Sequence, residues 1–182
     1  MYSALPLQAS EAHGSSVDQR VHRLVHEHLD AVVRTLAKLG VPDGGLDDAA
    51  QQVFLVATSK LDGIELGRER QYLLGIAVRI ASHARRTFQR RRETPMDDGF
   101  TLAEAGPLPD QLLDERRAYA LLQAIVAELP DGMREAFVLF DIEELTAGEV
   151  AELLEIPIGT VASRVRRARE QVRQSLLRAR KP

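Results

Sequence analysis

Apolar residues recur every third or fourth position along most of this 182-residue chain. The two-residue alternation of a half-buried strand appears nowhere. That periodicity points to one fold class, all-α. Val17, Val21, Leu24, Val25, Val32, Val33, Leu36 and Leu39 predict a first helix that stops near Gly40, with Pro42 and Gly44-Gly45 as the connection. A second helix is expected from about Leu46 to Leu61, burying Ala50, Val53, Phe54 and Ala57. Asp47 and Asp48 fall in its first turn, where negative charge suits the helix dipole. A third, about Glu69 to Arg91, carries a stripe of Tyr72, Leu73, Ile76, Ala77, Ile80 and Ala81. Four more follow, roughly 111–129, 131–143, 146–154 and 157–178.

Two stretches break the period. Residues 1–16 are small and polar and are expected to be a disordered extension. Residues 93–117 hold three Pro, two Gly and seven acids against two Arg, and read as a linker. The expected architecture is two small helical domains, 17–92 and 118–182, on an acidic tether. The chain has no Cys, which excludes disulfides and thiolate chemistry and fits a reducing compartment. No apolar run is long enough to span a membrane, and the N-terminus does not resemble a signal peptide. A cytoplasmic protein without membrane insertion is expected.

Charge is segregated. The net charge is −3, yet residues 79–92 carry +6, residues 93–155 carry −13 and residues 156–182 carry +7. Clustered Arg raises local potential and attracts polyanions. The last block belongs to LTAGEVAELLEIPIGTVASRVRRARE. Thr146 and Glu149 have capping-box spacing, so a helix should start there. Pro157 suits the first turn of the next, whose inward stripe is Val161, Val165, Ala168 and Val172. A helix–turn–helix needs this arrangement: one helix props a second, whose N-terminal half enters the major groove. Arg there can pair bidentately with guanine, and Arg further along grips phosphate. A basic helix that only packs, or lies on an acidic partner or membrane, is the plainer alternative.

LPDGMREAFVLFDIEELTAGEVAELLEIPIGTVASRVRRARE resembles region 4 of bacterial RNA polymerase sigma factors, the part that reads the −35 element. The match runs through Leu129-Pro130, Arg134-Glu135, Phe137, Leu139, Ala151-Glu152, Ile156-Pro157, Gly159-Thr160-Val161, Ser163-Arg164 and Arg167-Ala168-Arg169. LDDAAQQVFLVA resembles region 2.2 through Asp47-Asp48, Gln51-Gln52 and Phe54. RQYLLGIAVRIASHARRTFQRRR resembles regions 2.3–2.4 through Arg70, Leu73, Ile76-Ala77 and its Arg run. Both regions in order, with no central domain, point to the extracytoplasmic-function (ECF) group of the sigma-70 family.

The resemblance implies a promoter-specificity subunit without catalytic activity or cofactor. It binds core polymerase through Asp47, Asp48, Gln51, Gln52 and Phe54. It reads the −35 element with Thr160, Val161, Ser163, Arg164, Arg166 and Arg167. It meets the −10 strand with Arg79, His83, Arg86 and Arg90, beside a loop at Asp62–Arg68. An anti-sigma partner is implied by family habit alone, and the acidic linker is expected to thread a basic channel of the polymerase or to act as a solvated tether. Tyr72, Arg79, His83, Glu155 and Ala162 depart from the family's frequent Trp, Asn, Asp, Gly and Lys. A left-handed residue at 155 would be strained without Gly.

Two rival functions use the same residues. A stand-alone helix–turn–helix regulator would bind DNA without polymerase, and an adaptor or decoy of polymerase would not need the recognition-helix arginines. His22 and His26 lie one turn apart, a spacing that can chelate a metal, but no Cys or clustered carboxylate completes a site and no metal is expected. No nucleophile–base constellation or phosphate loop is visible, so the chain is not expected to be an enzyme.

Overall fold

A computed structural model of the chain describes residues 8–93 and 110–179. Its helices are α1 (Gln8–Lys38), α2 (Leu46–Thr58), α3 (Glu69–Glu93), α4 (Asp110–Ala127), α5 (Asp131–Phe137), α6 (Ala147–Leu154) and α7 (Ile158–Ala179). No strand occurs among the described residues. Part of the expected N-terminal extension and of the acidic linker lies outside them. The first helix begins well before Val17, inside the expected extension.

Local signals set most of the boundaries. α1 ends where Gly40 takes φ +85°, with Gly40 N–H donating to Ala37 and Val41 N–H to Leu36. That is a Schellman ending, which favours glycine. α2 is shorter than expected, because the chain turns at Ser59-Lys60 and Leu61–Gly63 form a 3-10 turn. α5 widens into a π-helical stretch, Val138–Ile142, with Glu143 N–H donating to Val138 at 2.9 Å. Such a bulge rotates the residues after it relative to an ideal helix.

α1, α2 and α3 form one bundle and α4–α7 another, and the two pack together. Their buried side chains make one continuous cluster, from Leu36, Val53 and Leu73 to Val126, Leu139 and Val161. The sequence predicted one apolar stripe on α3. Leu74, Gly75 and Val78 are buried as well. Gly75 shows why: a Cβ placed there would lie 2.9 Å from Leu153 Cδ2 of α6. The C-terminal bundle covers a face of α3 that the first three helices leave open.

Candidate nucleic-acid interface

The helix–turn–helix is built by its caps. Thr146 N–H donates to Glu149 Oε2 at 2.8 Å and Glu149 N–H donates to Thr146 Oγ1 at 3.3 Å, a reciprocal capping box. Hydrogen bonds from Thr146 hold the Glu149 carboxyl below the usual carboxylate range. α6 closes on Glu155 at φ 54°, with Ile156 N–H reaching back to Ala151 at 3.1 Å. A glutamate thus occupies a position that glycine adopts more cheaply. Pro157, expected in the first turn, sits one residue before α7, and its carbonyl accepts from Val161 N–H at 3.2 Å.

α7 then presents its residues by burial. Val161, Val165, Ala168 and Val172 are buried, as the stripe required. Val161 was also a candidate DNA contact; at 0% exposure its side chain belongs to the core. Thr160 and Ser163 are half-buried, and Ser163 Oγ donates to Thr160 O at 2.9 Å. Arg166 and Arg167 are exposed. Arg164 is half-buried, with its guanidinium over Gly132, where an added Cβ would lie 2.9 Å from Cζ. Arg169 is held from Asp141 at 3.0 Å and lies 5.5 Å over the Phe140 ring, so it braces α7 against the end of α5. The Asp141 hydrogen bonds raise its pKa further.

On α3, Arg79, His83 and Arg86 are exposed and share one face by their spacing of four and three. Arg79 Nη2 donates to Glu155 Oε1 at 2.9 Å, which links this face to the turn of the helix–turn–helix. Arg86 Nε donates to Ser82 O at 3.2 Å. Arg90 lies in α3, but its side chain is outside the described residues. The neighbouring loop is fixed from α1, where Arg20 Nη2 donates to Ile64 O at 2.6 Å.

Arg85 is a correction to the charge reading, which counted it in the +6 block of residues 79–92 that would attract polyanions. It is buried. It donates to Leu39 O and pairs with Glu135 at 3.2 Å and Asp131 at 3.3 Å. Its signal was present in the sequence: Ala77, Ala81 and Arg85 are spaced by four on the inward stripe. Arg134 is a second buried arginine. It donates to the carbonyls of Val126 at 3.1 Å and Leu129 at 2.7 Å, satisfying the open end of α4. Burial, followed by repulsion from Arg85, lowers its pKa, while burial raises that of Glu135.

On α2, Asp47, Asp48, Gln51 and Gln52 are exposed, and Phe54 is mostly in the core at 7% exposure. Beside them runs an apolar groove of about 630 Å³, walled by Val21, Val25 and Leu29 of α1 and by Phe54 and Leu55 of α2. Periodicity assigned α1 a buried stripe and gave no sign that part of it stays open. His22 and His26 stack with ring centroids 6.2 Å apart, and no group of three metal-ligating side chains occurs among the described residues.

The sigma-70 region 4 family model matches residues 119–172. The chain is 31% identical over 154 residues to the ECF RNA polymerase sigma factor SigE of Mycolicibacterium smegmatis, covering 84% of this chain and 60% of that protein. It is 30% identical over 166 residues to the ECF RNA polymerase sigma-E factor of Escherichia coli K12, covering 85% of this chain and 86% of that protein. Among solved structures, CnrH in complex with the cytosolic domain of CnrY superposes with a TM-score of 0.63 at 26% identity, covering 93% of this chain and 96% of that one.

Proposed function

Because the chain belongs to the ECF family of RNA polymerase sigma factors, we propose that it joins core polymerase and directs initiation at promoters carrying its own −10 and −35 elements. The observation that carries this reading is the capped helix–turn–helix, with Arg166 and Arg167 exposed beyond a turn closed at both ends. Residues 17–92 act as region 2 and residues 118–182 as region 4, with 93–117 between them. The N-terminal half of α7, through Thr160, Ser163, Arg164, Arg166 and Arg167, takes the −35 major groove, where arginine supplies both base and phosphate contacts. The face of Arg79, His83, Arg86 and Arg90 takes the −10 strand. Asp47, Asp48, Gln51 and Gln52 meet polymerase at the rim of the α1–α2 groove, and Phe54 supports the groove from beneath.

No helix among the described residues is long and apolar enough to cross a membrane. A cytoplasmic site of action is part of the proposed reading, because promoter DNA and polymerase are its partners. CnrH was captured with the cytosolic domain of CnrY, and a regulatory protein partner is part of the reading here too.

Runoff transcription with purified core enzyme on genomic fragments tests the proposal. Starts should appear only when the chain is added. Arg166→Ala with Arg167→Ala should abolish them while leaving polymerase binding intact, and Asp48→Ala with Gln51→Ala should abolish polymerase binding itself. Sequence-specific DNA binding by the chain alone, with no polymerase association, would favour an ordinary regulator.

A further inference from the structure

The loop between α2 and α3 is held from within and from outside. Leu61 and Ile64 are buried and seat it on the core. Arg68 N–H donates to Glu65 O at 3.1 Å and Gly67 takes φ +87°, which closes Glu65–Arg68 as a type II turn. Gly67 N–H donates to Glu69 Oε2 at 2.6 Å, and Arg68 Nε pairs with Glu65 Oε2 at 3.3 Å. The outside grip is Arg20 of α1, 44 residues away, whose Nη2 donates to Ile64 O at 2.6 Å. At the tip of the turn Leu66 is 85% exposed, the most exposed large apolar side chain among the described residues. Glu65 and Arg68, the two ends of the turn, line a cleft of about 200 Å³ with Ile64 and Tyr72, so Leu66 stands on its lip.

We infer that Arg20 is a positioning residue for strand opening: through Ile64 it holds the turn so that Leu66 stands as an apolar wedge against the unstacked −10 bases. The inference rests on the proposed role of this region, in which the −10 strand runs over Arg79, His83 and Arg86 beside the loop. Separated bases expose apolar faces. An inserted apolar side chain offsets part of the unstacking cost in proteins that kink or open DNA. A wedge works only from a fixed position. Ile64 is the midpoint of Leu61–Gly67, so one bond at its carbonyl holds both halves of the loop.

Stability does not account for Arg20. Its Nε is buried without a hydrogen-bond partner among the described residues, which costs free energy. Methionine has a similar reach and carries no orphan donor. The hydrogen bond that Arg20 does make among the described residues runs to the loop. Leu66, exposed as it is, adds nothing to the core either. Both side chains are therefore replaceable in a folded chain, and a loss of function on replacing them reports on the turn.

Arg20→Met and Leu66→Ala test this in the full chain, with Gln19→Met at an exposed neighbouring position as the control. Amide exchange at Ile64 and Arg68, followed by nuclear magnetic resonance, should be about tenfold faster in Arg20→Met and unchanged in the control. Urea midpoints and polymerase binding should stay at the parent's values. Runoff starts on a duplex fragment from which the parent chain initiates should fall about tenfold in both Arg20→Met and Leu66→Ala. On the same fragment with mismatches that hold the −10 segment open, the fall should be less than about twofold, because no unstacking is left to do. Unchanged exchange in Arg20→Met overturns the pinning. A urea midpoint well below the parent's makes Arg20 a structural residue and overturns its positioning role. Faster exchange with unchanged duplex starts, or an equal loss on both templates, overturns the role in opening. Full activity of Leu66→Ala overturns the wedge. A parent chain that initiates on no fragment refutes the proposed function and the opening role with it, while exchange still decides the pinning.

Discussion

Single residues carry most of the local specification. Thr146 caps α6 through a reciprocal bond with Glu149, and Thr146→Ala should cost about 1 kcal/mol, read as a lower urea midpoint with an unchanged slope. Glu149 adds a pH signature. Its folded-state pKa is depressed, so its contribution is present above the ordinary value of 4.5 and is lost as pH falls through the folded value. Glu149→Gln should therefore lessen the acid-side decline measured by urea unfolding at a series of pH values. Arg134 is a different case, because it satisfies carbonyls at the end of α4 from a buried position. Arg134→Ala should cost about 3 kcal/mol, since the carbonyls lose their donor and Asp131 keeps only Arg85. Its Arg-Glu signature was legible in the sequence as family resemblance; its capping role was not, since the bonds run to carbonyls five to eight residues back.

At the level of elements, helices and their stripes were readable because period, caps and breakers act within a few residues. Gly40 ends α1 and Thr146 begins α6 as the local chemistry requires, whereas Glu155 is left-handed against the preference of a residue that carries a Cβ. The π-helical stretch at Val138–Ile142 was not legible, because nothing in VLFDI departs from an ordinary helix. Glu143, which follows it, meets Lys38 of α1 at 3.2 Å and Arg70 of α3 at 2.7 Å. The recognition helix yields a salt-dependent prediction. If Arg166 and Arg167 each neutralise one phosphate, replacing both with Ala should flatten the log affinity against log salt slope by about 1.8 for polymerase-dependent binding to a promoter fragment. An unchanged slope would move them off the DNA backbone.

Across the whole molecule, the shared core predicts that the two bundles unfold together. Urea denaturation followed by circular dichroism and by energy transfer between dyes on Ser59→Cys and Gln171→Cys, both exposed positions, should give coincident transitions. Gly75→Leu should separate them, because a side chain there meets Leu153 and pushes α6 away from α3. The sequence by itself determined the helices, most of their ends and the helix–turn–helix, because each depends on residues within one or two turns of each other. Tertiary structure alone decided which arginines face water: Arg85 and Arg86 are adjacent in a run of like charge, yet one is buried against Leu39 and Glu135 and the other is exposed. It also decided that α3 has a second buried face and that Asp131, Glu135, Glu143 and Glu155 have partners on α1 and α3. Those partners lie as far as 108 residues away, and burial and ion pairing depend on the neighbours that folding brings in, which no local pattern encodes.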